Sequence, residues 1–210
     1  MSETIEQLGA FRHVPYMGVI YVVHEASKLG FWNGHPDWCN LGQGQPEVGD
    51  IPGAPPRVDE IRFDPADHAY GPVGGTDDSR QAIAEHYNRL YRQGKASQYT
   101  KDNVTIADGG RLILTRAFAA LSSVKLAYKT PDYTAYEDMI GLHLSRVQPV
   151  LLRGKAEDGF SIPAGVLEKE VVEQGIGAFV LSNPCNPTGQ VVSGGNSTTT
   201  SEFPAITGAR

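Results

Sequence analysis

The chain contains too little cysteine and too little positive charge for several classes of protein. Its 210 residues include two cysteines, Cys39 and Cys185, which are too few for a disulfide framework or a cysteine-based metal cluster. The formal net charge of -6 disfavours nucleic acid and anionic membranes as partners. We find no apolar run that would span a bilayer and no signal peptide in the first 30 residues, which predicts a cytoplasmic protein.

Several familiar catalytic signatures are also missing from the sequence. The six histidines are scattered without the spacing of a metal site, and we expect satisfied or exposed roles for them. The sequence has neither a Gly-x-Ser-x-Gly elbow nor a Walker phosphate loop.

What the sequence does contain is a series of apolar segments in which strand and helix periods alternate. Strands are predicted at residues 104–106, 125–128, 147–152 and 178–181, and helices near residues 77–91, 112–121, 136–142 and 164–174. Asp77, Asp78 and Ser79 offer N-cap oxygens, and Gly94 and Gly175 supply helix stops. Such alternation predicts an α/β fold with a parallel sheet built from right-handed crossovers.

The most specific segment is Asn-Pro-Cys-Asn-Pro-Thr-Gly at residues 183–189, directly after the last apolar strand. Each proline prevents a strand or helix from continuing, so both asparagines are held on a rigid loop. The carboxyl end of a strand is where open α/β sheets bind ligands. An Asx-turn that only shapes the loop is the alternative.

This segment resembles the signature loop of class I/II aminotransferases, which use pyridoxal 5′-phosphate. By that resemblance, Asn186 donates a hydrogen bond to the phenolate oxygen of the cofactor. Four further segments resemble family motifs, and all five follow in family order between residues 40 and 192. Order and spacing together are more specific than any single match.

Two of these segments imply further cofactor contacts. Asp108–Arg111 precedes a predicted helix, and the resemblance implies that Gly110 and Arg111 bind the cofactor phosphate, although a plain tight turn is the alternative. Pro131–Tyr136 is similar to a family element in which an aromatic residue, here Tyr133, stacks on the pyridine ring. Two core tyrosines would be the alternative for that element.

The remaining two segments imply substrate and subunit contacts. Asn40–Pro46 resembles a family segment in which Gly44 presents its backbone N–H to the substrate carboxylate, although by sequence alone it is a glycine-rich turn. Tyr70–Gly75 resembles a segment in which Tyr70 reaches the phosphate of the neighbouring subunit's cofactor, which implies a homodimer. A buried tyrosine before a helix cap is the alternative.

The resemblance implies fold type I of the pyridoxal-phosphate-dependent transferases, a three-layer α/β/α sandwich that is incomplete here. Residues 1–65 would be an amino-terminal arm and part of the small domain, and residues 66–192 the first part of the cofactor-binding large domain. Residues 193–210 have no periodicity, begin with a run of Gly, Asn, Ser and Thr, and predict a disordered tail. The implied reaction is amino-group transfer between an amino acid and a 2-oxo acid. A catalytically inactive binding module, or another fold type I enzyme such as a carbon–sulfur lyase, is the alternative.

The family's cofactor-holding lysine lies well beyond the signature loop, and no lysine follows Lys169 in this sequence. We therefore assign no catalytic residue and expect the chain alone to be inactive. In the family's sheet, absent strands separate the strand near residues 103–107 from the next three. Without a neighbour its backbone groups would be exposed, which predicts low stability, aggregation or rescue by a partner.

Overall fold

The computed structural model describes residues 18–42, 44 and 49–192 of the chain. The chain divides into two compact units, Met1–Arg62 and Phe63–Arg210. Most of the predicted amino-terminal arm before residue 18 and the whole predicted tail at 193–210 lie outside the described residues. The predicted division at residue 65 into parts of a small and a large domain stays a prediction.

In the described residues of the first unit, one helix is followed by irregular chain. Helix α1, Gly18–Lys28, ends where Gly30 adopts a left-handed conformation with φ 96°, which glycine tolerates without steric cost. Beyond it, the rings of Phe31 and Trp38 pack edge to face with centroids 5.6 Å apart. None of the described residues between 18 and 62 is fully buried, so this unit has no core of its own in the described part.

The second unit contains a parallel three-stranded sheet. Its strands are β1, Val124–Thr130, β2, Val147–Arg153, and β3, Ala178–Val180, in the order β2-β1-β3. Val124 pairs with Val147 on one side, and Leu126 pairs with Ala178 on the other. Both pairings are parallel, so the predicted parallel sheet is confirmed.

Four helices of the second unit have bounds close to those predicted. They are α2, Asp77–Tyr91, α3, Gly110–Ala120, α4, Ala135–Gly141, and α5, Ala164–Gln174, with short 3-10 turns at Pro65–His68, Lys101–Asn103 and Ala156–Asp158. The N-cap predicted for α2 is wrong by one residue or more. Thr76 caps this helix by accepting from the Ser79 N–H, because an N-cap needs the extended backbone (φ -64°, ψ 150°) that Thr76 has.

Helices cover both faces of the sheet. One core cluster joins Leu126 of β1 to Phe118 of α3 and Ile140 of α4, and the other joins Ala127 of β1 to Leu167 of α5. Because successive strand side chains point to opposite faces, neighbours in β1 belong to different clusters. The predicted three-layer α/β/α arrangement is therefore confirmed. The connection through α4 leads from β1 to β2, and the connection through α5 leads from β2 to β3. The two run in opposite directions across the sheet and pass over opposite faces, so they have the same handedness.

The segment predicted as a strand at residues 104–106 is extended but does not join the sheet. Val104 has β-region angles, and the Ile106 N–H donates to the Gly74 carbonyl at 2.9 Å. That single hydrogen bond links it to the chain before α2 and not to any of the three strands. The strand assignment is therefore wrong, while the expectation that this segment would have no neighbour in the sheet agrees with the structure.

Candidate functional site

Two of the sequence motifs begin at the same edge of the sheet, where the strands have their carboxyl ends. β1 ends at Thr130 and continues directly into Pro131–Tyr136. β3 ends at Val180 and continues into the 182–189 loop. Because β1 and β3 are adjacent and parallel, both motifs emerge side by side at the carboxyl edge.

A third motif meets this edge through Arg111. The Arg111 Nε donates a hydrogen bond of 2.7 Å to the hydroxyl of Tyr133, and its guanidinium carbon lies 5.5 Å from the centroid of that ring. The Tyr133 ring packs edge to face on Tyr136, with centroids 5.5 Å apart. Two predicted cofactor residues that are 22 positions apart in sequence are thus in direct contact.

The first turn of α3 is open to a ligand. Its N-cap is Gly109, with φ 84°, and no side chain of the described residues caps the helix. A Cβ atom added at Gly109 or Gly110 would meet nothing within 4 Å. Within the described part of the chain, neither Nη atom of Arg111 has a hydrogen-bond partner. Uncapped N–H groups, a helix dipole and a guanidinium together suit an anion such as a phosphate.

The two asparagines of the 183–189 motif have different roles. The Asn183 amide donates to the Val192 carbonyl at 3.1 Å and accepts from the Val192 N–H at 3.0 Å, which closes the base of the loop. Asn186 is exposed, and its side chain has no hydrogen-bond partner among residues 18–42, 44 and 49–192. Asn183 therefore shapes the loop through a contact nine residues away, whereas Asn186, for which an Asx-turn was the alternative, is available to a ligand.

Asp132 links the two loops, and sequence reasoning gave it no role. Its Oδ1 accepts from the Tyr133 N–H at 2.7 Å and from the Ser182 N–H at 3.3 Å. Next to it, the Tyr136 hydroxyl and the Ser182 hydroxyl lie 3.0 Å apart. Burial raises the pKa of Tyr136 above its ordinary value of 10.0. The core alternative thus holds for Tyr136, while Tyr133 is half-buried beside Arg111.

The remaining predicted residues are not part of this arrangement. The Tyr70 side chain is fully exposed at 107%, so the alternative of a buried tyrosine is wrong. Gly44 is exposed and belongs to the first unit. The structure therefore brings together Gly110, Arg111 and Tyr133, with Asn186 on the adjacent loop.

No helix in the described part of the chain is long and apolar enough to cross a bilayer. Within that part, no three or more histidine, cysteine, aspartate or glutamate residues are grouped so as to hold a metal ion.

The sequence profile of aminotransferase class I and II matches residues 36–196. The chain belongs to this family. It is 29% identical over 155 residues to an aspartate aminotransferase of Rhizobium meliloti, an alignment that covers 73% of this chain and 36% of that relative. It is 28% identical to an aspartate/prephenate aminotransferase of Cereibacter sphaeroides, covering 73% of this chain and 37% of that relative. The chain therefore spans little more than a third of the curated relatives that it matches.

Solved aminotransferase structures share the fold. The aspartate aminotransferase of Rhizobium meliloti superimposes with a TM-score of 0.51 at 28% identity, covering 62% of this chain and 32% of that one. An amino transferase of Eubacterium rectale gives a TM-score of 0.53 at 23% identity over 64% of this chain and 33% of that one, a likeness of fold alone. The second unit is thus an incomplete α/β domain of fold type I.

Proposed function

We propose that residues 66–192 supply the first part of the pyridoxal 5′-phosphate site of an aminotransferase, an enzyme that moves an amino group between an amino acid and a 2-oxo acid. The hydrogen bond between Arg111 and Tyr133 is the observation that carries this proposal. It joins the phosphate motif to the ring-stacking motif at the edge of the sheet from which the Asn186 loop also leaves. The family membership favours the same cofactor and the same class of substrate.

Each residue of the site has a distinct task. The Gly110 N–H and the Nη atoms of Arg111 would bind the phosphate, and the Tyr133 ring would cover one face of the pyridine. The Asn186 amide would donate to the phenolate oxygen and so favour its ionised form. When bound, pyridoxal phosphate supplies an electron-withdrawing ring that makes the α-proton of an attached amino acid removable.

Two residues outside this arrangement fit a second copy of the chain and a substrate. The fully exposed Tyr70 is free to reach the phosphate bound by a neighbouring subunit, in a homodimer with composite sites. Gly44 would offer its backbone N–H to the substrate carboxylate.

We further propose that the lysine that holds the cofactor lies outside residues 1–210, so that these residues by themselves are inactive. Both lysines of β1 already have acceptors. Lys125 lies near the amino end of the strand, and its Nζ donates to the Gln174 carbonyl at 2.6 Å. Lys129 is buried at the other end, and its Nζ donates to Cys185 and Phe160. Borohydride reduction with pyridoxal phosphate should leave neither lysine modified, and a pyridoxyl adduct at either would contradict this.

The phosphate assignment is tested with pyridoxamine 5′-phosphate, which binds without forming an imine on stray lysines. Isothermal titration should show tighter binding of this ligand than of unphosphorylated pyridoxamine. Arg111→Gln should lower the affinity for the phosphorylated ligand about 10- to 100-fold, the loss expected for a hydrogen bond to a charged group. It should leave the weaker binding of pyridoxamine unchanged.

A matched control lies on the same helix. Arg116 is also exposed, and Arg116→Gln should leave both affinities unchanged. Equal affinities of the wild-type chain for the two ligands would contradict the phosphate site. An equal loss in Arg116→Gln would show that general positive charge, and not the Arg111 contact, is responsible.

A further inference from the structure

A buried pair of charges lies at the carboxyl end of β1 and has no role in the function proposed above. The side chains of Lys129 and Asp132 are 4% and 1% exposed, and Lys129 Nζ lies 4.0 Å from Asp132 Oδ2. Removing an ammonium and a carboxylate from water is costly, and a buried ion pair adds little net stability on average. The pair therefore calls for an explanation other than stability.

The Lys129 ammonium joins three segments of the chain. From its place in β1, it donates to the Cys185 sulfur at 3.2 Å and to the Phe160 carbonyl at 3.5 Å. The turn that carries Phe160 is narrowly defined, because Phe160 has a left-handed φ of 62° and a Cβ atom at Gly154 would lie 2.6 Å from the Phe160 oxygen. Lys129 thus fastens the Cys185 loop to a second, rigid turn.

Cys185 is the buried residue at the start of the turn that contains Asn186. Its N–H donates to the Gln190 carbonyl at 2.7 Å, and its own carbonyl accepts from the Gly189 N–H at 2.7 Å. Its thiol also contacts the Pro131 carbonyl at 3.7 Å. Cys185 is 4% exposed while the next residue, Asn186, is exposed. Contacts that hold the Cys185 side chain in place therefore also fix the backbone position from which the Asn186 side chain extends.

Asp132 completes the arrangement from the other loop. Its Oδ1 receives the N–H groups of Tyr133 and Ser182, and its Oδ2, which has no hydrogen-bond partner, faces the Lys129 ammonium. The charge pair therefore connects the loop of Tyr133 to the loop of Asn186. A neutral, flexible contact would leave the two loops free to move separately.

We propose that Lys129 and Asp132 are positioning residues that hold the Asn186 loop in register with Tyr133. Lys129 and Asp132 would hold the loop even when no ligand is bound. Its consequence for cofactor binding rests on the proposed function, and the two parts are tested separately.

The first test measures the accessibility of the Cys185 thiol in a Cys39→Ser background, so that a single thiol remains. Wild-type Cys185 should react slowly with iodoacetamide, because its loop has to open first. The double variant Lys129→Met, Asp132→Asn removes both buried charges and so avoids leaving one of them unpaired. Its thiol should react about tenfold faster or more, the change expected when a hydrogen bond to a charged group is lost. An unchanged rate would overturn the proposal.

Lys125 provides the matched control for that test. It lies in the same strand, and its Nζ also donates to a backbone carbonyl, but near the other end of the strand. Lys125→Met should leave the Cys185 rate unchanged. An equal increase in this variant would show that any weakening of β1 exposes the thiol, and it would overturn the positioning role.

The second test measures the affinity for pyridoxamine 5′-phosphate in a double-mutant cycle. The Lys129→Met, Asp132→Asn chain should bind more weakly, and adding Asn186→Leu to it should lower the affinity by less than Asn186→Leu does alone. Full additivity would overturn the link between the charge pair and Asn186. If the wild-type chain does not bind this ligand, the proposed function fails, and the thiol rates still decide whether the pair holds the loop.

Discussion

Two parts of the second unit, residues 63–107 and residues 108–192, differ in how much of each is buried. Between residues 63 and 107, Ala84 is the single buried residue, and Tyr70 and Val73 are 107% and 97% exposed. Residues 108–192 form the sheet and both core clusters. Next to this core, the side chains of Arg111 and Tyr133 hold each other in place through a hydrogen bond. The Tyr70 side chain is not covered by other described residues, so any role for it depends on a contact with something outside them.

The largest effect should come from the core of the second part. Phe118 is 1% exposed in the cluster beneath α3, and Phe118→Ala should lower the free energy of unfolding by about 3–5 kcal/mol. That is a large fraction of the stability of a typical domain, so the urea midpoint should fall well below that of the wild type. Leu90→Ala, at a 51% exposed position of α2, should cost about 0.5 kcal/mol or less. Urea unfolding followed by circular dichroism measures both changes, and equal losses would contradict the contrast between the two parts.

A smaller effect is expected from arginines that close helix ends. Arg146 donates to the carbonyls of Leu121, Phe118 and Ala119, at the carboxyl end of α3. Arg146→Met should therefore cost about 1.5–3 kcal/mol of unfolding free energy. Arg80→Met, in the less buried part, removes one backbone contact to Lys101 and the ion pair with the exposed Asp77, and should cost about 1 kcal/mol. A larger loss for Arg80→Met in the same urea experiment would reverse the comparison.

Much of this contrast follows from sequence patterns, and the exceptions have physical reasons. Helix α5 was predicted with its bounds because apolar spacing and Gly175 both mark its end, and the 178–181 strand was predicted to within a residue. The 104–106 strand was not formed, because a three-residue run makes a strand only if a neighbouring strand pairs with it. The resemblance singles out Asn186, but nothing in the sequence predicts the contact of Asn183, because its amide bonds to Val192, nine residues away.

The buried charge pair was also missed at the sequence level. Lys129 lies two positions after the buried Ala127 of β1 and so on the same face of the sheet, and that is a usable signal, because a lysine on an inward-facing strand position needs a partner. The partner itself depends on the turn after the strand and on two distant loops. The predicted contacts of Gly110, Arg111, Tyr133 and Asn186 with a cofactor remain predictions.

Alkaline pH should weaken the buried part of the unit. Burial raises the pKa of Tyr136, so the folded chain keeps this proton at a pH where the unfolded chain has lost it. The contribution of Tyr136 to stability is therefore complete below pH 10.0 and is lost as the pH rises above it. Unfolding midpoints in urea should fall above this pH, and Tyr136→Phe should make the fall shallower. An identical pH profile in Tyr136→Phe would contradict the assignment.

Acidic pH should act, more weakly, on the exposed part. Hydrogen bonds from Lys101 and Arg80 lower the pKa of Asp77 below its ordinary value of 3.8. The ion pairs therefore contribute above that pH and are lost as the pH falls through the lowered value. Because Asp77 is exposed, salt should diminish the effect. Asp77→Asn should flatten the acid limb of the stability profile at low ionic strength only. A difference that persists at high salt would contradict a surface ion pair.

The absorption spectrum of pyridoxamine 5′-phosphate, the amine form of the cofactor, bound to this chain tests the central claim most directly, with Asn186→Leu compared to the wild type. The account predicts that an amide donor at position 186 stabilises the ionised phenolate, so the variant should bind more weakly and its bound spectrum should shift toward the neutral form. Asn183→Leu should instead disturb the loop as a whole, which the accessibility of the Cys185 thiol would report. If Asn186→Leu binds the cofactor with wild-type affinity and an unshifted spectrum, Asn186 does not face the cofactor and the account is contradicted.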